Sequence, residues 1–485
     1  MNNLKNLSPE SIWHYFNEVC KVPRPSKHEE KMIDFLFSFA AEQKLLVKKD
    51  PAGNVVIMKP GSKGHENSKV VVLQSHMDMV CEKNEGTVHD FFQDPIVPLV
   101  ENGWVRAANT TLGADCGIGI AASLAVLADR ELVHPPLEAL FTVDEETGLT
   151  GANALQPGFL AGKILLNLDS EDEGELFIGC AGGIDSVATF KYGTVPVPSN
   201  FFAFKITVSG LQGGHSGDDI EKGRGNSIKI LNRFLYQVVN PCECRISNFN
   251  GGNLRNAIPR EASAVVVVPG SKKELLTIAL NHYRADIENE LFKKEPKFKI
   301  TLESTEMPGE IMDLNSQSKL INALYALPHG VLSMSFRMPG MVESSTNLAS
   351  VRFKPGNAIE IVTSQRSDQE TGKQDVYQMV ETVFILMGAE VVRGDGYCGW
   401  TPDPSSYVLD VSRKLYEELF GVEPVVRSIH AGLECGLFLE KFPELDMISF
   451  GPTLRGVHSP DEKIEIDSVG RFWKFLTELL SKLAQ

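Results

Sequence analysis

The chain opens on polar and apolar residues at helical spacing. Ser8-Pro9-Glu10 places a capping residue before a proline suited to the first helical position. Ser26-Lys-His-Glu29 reads as a capping box ahead of Met32, Phe35, Leu36 and Phe39. The pattern then changes to short, nearly continuous apolar runs. These are Val70-Val-Val-Leu73, Leu137-Glu-Ala-Leu-Phe-Thr-Val143, Ile164-Leu-Leu-Asn-Leu168 and, near the other end, Met447-Ile-Ser-Phe450. Runs of this kind predict strands of an α/β sheet with helices over both faces. Gly117 to Leu127 predicts a buried helix. Val469, Phe472, Trp473, Leu476, Leu479, Leu480 and Leu483 recur at helical spacing and predict a terminal helix packed on the same core.

The middle of the chain is patterned differently. Phe202–Val208 and Ala262–Val268 alternate apolar with other residues, and Phe298–Leu302 and Asn357–Val362 follow as further strands. Asn226–Val239 and Lys373–Met387 predict amphipathic helices, so this region reads as α+β. If the late strand and terminal helix belong with the start of the chain, the middle is an insertion. The expected division is 1–186 with 396–485, interrupted by 187–395. No short internal repeat is visible.

Composition narrows the classes. The 47 basic and 63 acidic residues give a formal charge of −16, which argues against a phosphate-backbone binder and against an anionic membrane surface. The longest apolar stretch, Gly117–Ala128, is about half of a membrane span. The N-terminus lacks the apolar core of a signal peptide, so a cytoplasmic protein is expected. The eight cysteines are scattered and imply no disulfide framework. Cys242 and Cys244, one residue apart, lack the spacing of a common zinc knuckle.

The chemistry lies where the strands end. The run at Leu73 leads into His76-Met-Asp78. The run at Val143 leads into Asp144-Glu145-Glu146. The run at Leu168 leads into Asp169, and the late run is followed by His458-Ser-Pro-Asp-Glu462. Ligands of open α/β sheets bind outside these carboxyl ends. Alone, each motif has an ordinary reading: a hydrogen-bonded His-x-Asp pair, a solvated acidic turn, a helix cap at Asp115, a surface histidine. Together they concentrate acids and imidazoles without a basic residue, an electrostatically poor arrangement unless protons or metal ions neutralise it. Two histidines and several carboxylates from separate strand ends are the ligand chemistry of a binuclear Zn²⁺ site. A carboxylate outside the ligand set can then serve as general base. His76 and Asp78 point to the same side of an extended chain, so the carboxylate can orient the imidazole. Spacing alone does not choose between Glu145 and Glu146.

With these motifs in order, the sequence resembles the M20-type metallopeptidases, and within them the aminoacyl-histidine dipeptidases. The matching motifs run along nearly the whole chain: His76-Met-Asp78, Gly113-Ala-Asp115, Asp144-Glu-Glu-Thr-Gly148, Asn167-Leu-Asp169, Gly213-Gly-His-Ser-Gly217, Asn256-Ala-Ile-Pro259, His430-Ala-Gly-Leu-Glu434 and His458-Ser-Pro460. The resemblance implies a catalytic α/β domain with a mixed, largely parallel sheet, interrupted by an inserted α+β lid and dimerisation domain. It implies two Zn²⁺, replaceable by Co²⁺ or Mn²⁺. His76 and Asp169 would hold one, Glu146 and His458 the other, with Asp115 bridging. Asp78 would orient His76, and Glu145 would be the base. His215 would stabilise the oxyanion with help from Asn256. Arg366, with the loop at Gly432, would hold the substrate carboxylate. Dipeptides of the Xaa-His type are the implied substrates, and a homodimer through the lid the implied assembly. A tripeptidase or N-acyl amino acid deacylase on the same scaffold is the alternative, and a metal-binding protein without catalysis a more distant one. Relatives usually carry Asn or Asp after the bridging residue, where this chain has Cys116. That thiol is either a small core residue or a soft ligand that disturbs the metal site.

Overall fold

A computed structural model describes residues 4–485 and divides into two compact units. Among the described residues, the first comprises 4–179, Trp400–Ser428 and Leu433–Gln485. The second comprises Cys180–Gly399 and Ile429–Gly432. Three details differ from the division expected from sequence, the first being that residues 396–399 fall in the second unit, where Tyr397 N–H donates to the Gly183 carbonyl at 2.9 Å. Strand Gly182–Lys191 lies wholly in the second unit, because it pairs along its length with Ala358–Ser367. Residues 429–432 return to that unit, with Ala181 donating to the Ile429 carbonyl.

The first unit is built on an eight-stranded sheet. Its order is Leu46–Lys49, Val55–Lys59, Leu137–Thr142, Val71–His76, Ile164–Asn167, Asp446–Ser449, Glu175–Cys180, Val425–Ile429. The four apolar runs of the sequence are the four adjacent strands at its centre, and they are parallel. Nearly every residue in them is buried, which is why they read as continuous apolar runs. Helices Glu30–Gln43 and Ala114–Ala128 contribute Met32, Leu36, Phe39, Ile120, Leu124 and Leu127 to a core shared with Val55, Ile57, Ala139 and Phe141. Helices Tyr407–Phe420 and Ile466–Ala484 meet through Tyr416 and Phe475, whose rings are 5.3 Å apart. The terminal helix buries the expected stripe, with Phe475 in place of the half-buried Trp473.

Two expectations at the start of the chain are corrected. Helix Glu10–Cys20 begins after Pro9, which holds an extended conformation at the cap instead of the first helical position. The capping box at Ser26–Glu29 does not form. The helix begins at Glu30 and receives no side-chain cap, because Ser26 and Glu29 are bonded to distant loops.

The second unit is an antiparallel sheet with an internal repeat. Phe201–Ser209, helix Ser227–Val238, Arg245–Gly252, Ala262–Pro269, helix Lys273–Leu291 and Lys299–Ser304 form one βαββαβ module. Gly182–Lys191, helix Leu314–Ala326, Val342–Lys354, Ala358–Ser367, helix Glu370–Met387 and Glu390–Arg393 form another. In each, the strands lie in the spatial order 4-1-3-2 of the ferredoxin-like arrangement. The first module is inserted after the first strand of the second, and the second strands of both pair edge to edge at Gly251↔Val351 and Gly252↔Ser350. Gly252 has φ +69°, and a Cβ there would lie 1.9 Å from the Ala349 carbonyl oxygen. Only glycine allows the two edges this close.

Candidate active site

The carboxyl ends of the central strands bring together side chains from five segments of the first unit. His76 ends its strand and is 1% exposed. Its Nδ1 lies 3.3 Å from Asp78 Oδ1. Its Nε2 lies 3.0 Å from Asp115 Oδ1 and 3.3 Å from Asp169 Oδ1. The second oxygen of Asp115 lies 3.0 Å from His458 Nε2, which is also 3.0 Å from Glu146 Oε2. Asp115 therefore faces both imidazoles, one oxygen to each. Three sets of possible ligand atoms lie within 4.8 Å of one another: His76 with Cys116 and Asp169, His76 with Glu145 and Glu146, and Asp115 with Glu146 and His458.

Local backbone explains the convergence. Asp115 and Cys116 sit at the start of helix Ala114–Ala128 with non-helical dihedrals, which turns the Asp115 side chain out of the helical path. Asp144 adopts φ +51° two residues after the end of its strand at Thr142, and Glu145 and Glu146 follow on a short helix. Their backbone N–H groups donate to the two oxygens of Asp78 at 3.0 and 3.2 Å, and Ser26 Oγ donates to Asp78 at 2.8 Å. Asp78 thus fixes His76 and the Glu145–Glu146 turn at once.

The electrostatics fit a cation site. The ion-pair partners of Asp78, Asp115, Glu146 and Asp169 are all histidines, and Glu146 Oε1 is buried with no hydrogen-bond partner. Burial would raise the Asp78 carboxyl, but His76, the Glu145 N–H and Ser26 outweigh it and hold it at about 2. Hydrogen bonds that His458 donates to Asp115 and Glu146 raise it to about 11. His76 is raised too, because Asp169, Asp115 and Asp78 overcome its burial. Without metal, protons on the two imidazoles offset part of the cluster's negative charge. A divalent cation held by these residues would displace those protons, since ligating imidazole is neutral. Glu145 is pushed up by burial, against His76, and further by Asp169, Glu434 and Glu146. Cys116 is buried, its Sγ 3.5 Å from the Leu168 carbonyl, and burial followed by the Asp169 charge keeps the thiol protonated.

The other four sequence candidates belong to the second unit. Ser216, beside His215, donates to the Asn256 carbonyl at 2.8 Å. Arg366, 6% exposed, donates to the Tyr397 hydroxyl at 2.9 Å, and a Cβ at Gly432 would meet the Tyr397 ring at 2.7 Å. A Cβ at Gly217 would fall 2.1 Å from the His430 carbonyl oxygen. Within this unit the His215, Asn256, Arg366 and Gly432 segments are therefore neighbours.

Several participants escaped the sequence reading. Glu434 is 1% exposed and accepts from Gln74 at 2.6 Å and Thr142 at 2.8 Å. Burial, opposed by His76 and Thr142, leaves its carboxyl at about 8. Gln74 also accepts from Asn167, which accepts from Ser449. A buried polar belt thus crosses the central strands just below the ligand ends. The polar letters inside the apolar runs, Gln74, Thr142, Asn167 and Ser449, were the available signal. His430 and Glu434 stood in one matching motif without an assigned role, and Tyr397 carried no signal.

The fold, with acids and imidazoles gathered beyond the ends of four parallel strands, points to the class of metal-dependent peptidases. The chain belongs to peptidase family M20/M25/M40, whose sequence profile matches residues 72–482. It is 45% identical over 483 residues to the cytosol non-specific dipeptidase of Escherichia coli (strain K12), covering 100% of this chain and 99% of that protein. The crystal structure of aminoacylhistidine dipeptidase from Vibrio alginolyticus superposes with a TM-score of 0.93 at 44% identity, covering 99% of this chain and 98% of that one. Aminopeptidase PepT from Bacillus cereus, at 16% identity and a TM-score of 0.58 over 99% of both chains, shares the fold. Among the described residues, no helix is long and apolar enough to cross a membrane. None of the eight cysteines, all among the described residues, forms a disulfide.

Proposed function

We propose that this protein is a metal-dependent dipeptidase of broad specificity, with Xaa-His dipeptides among its substrates. The observation that carries the reading is Asp115, whose two carboxylate oxygens each lie 3.0 Å from a different imidazole. His76 and Asp169 would hold one zinc, Glu146 and His458 the other, and Asp115 would be shared between them. Divalent cations held there would supply Lewis-acid polarisation of the scissile carbonyl and lower the pKa of water toward neutrality. Glu145 takes the proton of the attacking water and delivers it to the leaving amine, a task suited to a carboxyl raised by burial. Asp78 holds the tautomer of His76, leaving Nε2 free to ligate. His215 and Asn256 are assigned to the oxyanion and Arg366 with Gly432 to the substrate carboxylate, Arg offering a bidentate fork. A homodimer through the second unit and a cytoplasmic location complete the proposal.

The test is a substrate panel with the purified protein: free dipeptides including Xaa-His, tripeptides, N-acyl amino acids and dipeptides with blocked termini, each with and without chelator. Chelator-sensitive cleavage of free dipeptides is expected. Preferential cleavage of tripeptides or N-acyl amino acids reassigns the substrate class, and no turnover on any of them sinks the catalytic reading. Glu145→Ala should keep metal and lose turnover by roughly 10²- to 10⁴-fold.

A further inference from the structure

Two buried charges outside the proposed ligand set hold the loops that carry it. Arg24 is 2% exposed. Its Nη1 donates to the carbonyls of Met77 at 3.0 Å and Asp78 at 2.6 Å, and its Nη2 donates to the Gly113 carbonyl. Met79 N–H returns a bond to the Arg24 carbonyl at 3.2 Å. Glu462, also 2% exposed, lies four residues after His458. One of its oxygens accepts from the N–H groups of Leu112 at 2.7 Å and Gly113 at 2.9 Å, the other from Ala114 at 2.7 Å and Asp115 at 3.3 Å.

These bonds fall where the chain has no helical support. Asp115 and Cys116 have non-helical dihedrals, and a segment with free N–H groups and irregular backbone needs partners to hold one conformation. Glu462 supplies the acceptors and Arg24 grips the Gly113 carbonyl between them. A Cβ at Gly113 or at Gly117 would lie 2.7 Å from Arg24 Nη2, so both glycines make room for the guanidinium. The same N-terminal segment continues the grip: Ser26 bonds Asp78, and Glu29 Oε1 accepts from Asp144 N–H at 3.0 Å.

We infer that Arg24 and Glu462 are positioning residues of the metal centre: Arg24 ties the His76–Asp78 turn to the Asp115 loop, and Glu462 ties that loop to the His458 turn. Resting on the ligand assignment proposed above, the inference adds that metal affinity depends on two residues that touch no metal. Glu462→Gln keeps size and shape but has one acceptor oxygen. Its amide N–H₂ must face two backbone N–H groups, so part of the grip is lost. Arg24→Lys keeps the charge, but one ammonium cannot reach the carbonyls on both loops as a planar fork does.

The experiment measures Zn²⁺ and Mn²⁺ affinity by competition with a chromophoric chelator, the metal concentration that half-activates dipeptide hydrolysis, and the visible spectrum of the Co²⁺ protein. Each variant should bind metal roughly ten-fold or more weakly, with a matching rise in half-activating concentration and an altered Co²⁺ spectrum. Affinities within two-fold of the parent, even with a lowered unfolding temperature, would show a purely structural role and overturn the inference. Should Glu462→Gln and Arg24→Lys not fold, Gly117→Ala, whose Cβ would lie 2.7 Å from Arg24 Nη2, must weaken metal binding; unchanged affinity in that variant overturns the inference as well. A parent protein that binds no metal would overturn the proposed function itself, and the inference with it.

Discussion

His430 offers a test of the second unit that does not depend on metal. It is 9% exposed, with Nε2 2.7 Å from Ser345 Oγ. Burial, then the Arg366 charge, lowers it to about 3, with Asp218 opposing and His215 reinforcing the shift. An ordinary histidine in the unfolded chain titrates near 6.5. Because the folded value is the lower one, the contribution of neutral His430 is complete above pH 6.5. It is lost as pH falls through 6.5 toward 3, where the unfolded chain binds a proton that the folded protein refuses. One proton is worth about 1.36 kcal/mol per pH unit, so at pH 5 the loss is about 2 kcal/mol. At roughly 2–4 °C per kcal/mol for a domain of this size, the unfolding midpoint should fall by about 4–8 °C on this account. The assay is calorimetric unfolding of the parent and of His430→Gln, at pH 7.5 and pH 5, in chelator. The glutamine keeps a polar partner for Ser345 and removes the titration. The parent should lose about 2 kcal/mol more than the variant between the two pH values. Identical pH dependence in both proteins would refute the reasoning.

Three further outcomes are expected. Asp78→Asn leaves an amide N–H₂ facing a donor at His76, Glu145, Glu146 or Ser26, so metal affinity should fall by roughly 10- to 100-fold in chelator competition. Metal binding at pH 7 should release about two protons, because His76 and His458 are both raised in the metal-free protein; calorimetry in buffers of different ionisation enthalpy reads the number, and affinity should rise with pH. Gly252→Ala meets positive φ and the Ala349 carbonyl together, and should destabilise the second unit by about 1–3 kcal/mol in denaturant unfolding while leaving metal affinity in the first unit unchanged.

The central sheet was legible in the letters because its strands are buried on both faces, so every position had to be apolar or internally paired. The site was legible for a related reason. Acids and histidines without compensating cations, each just past an apolar run, mark where strand ends face a common ligand. Other features left no such mark. Ser26 and Glu29 have the spacing of a capping box, yet their partners are Asp78 and Asp144; local spacing cannot show that a better acceptor or donor arrives from elsewhere in the fold. Arg24 and Glu462 bind backbone atoms, and backbone partners carry no side-chain identity to read. The two βαββαβ modules repeat a strand order, not a residue pattern, and one is threaded into the other, so periodicity along the chain is silent about them. Which residues are apolar, and which carry chemistry, is written locally. Which distant backbone amide a buried charge will hold is decided only when the chain closes on itself and removes those groups from water.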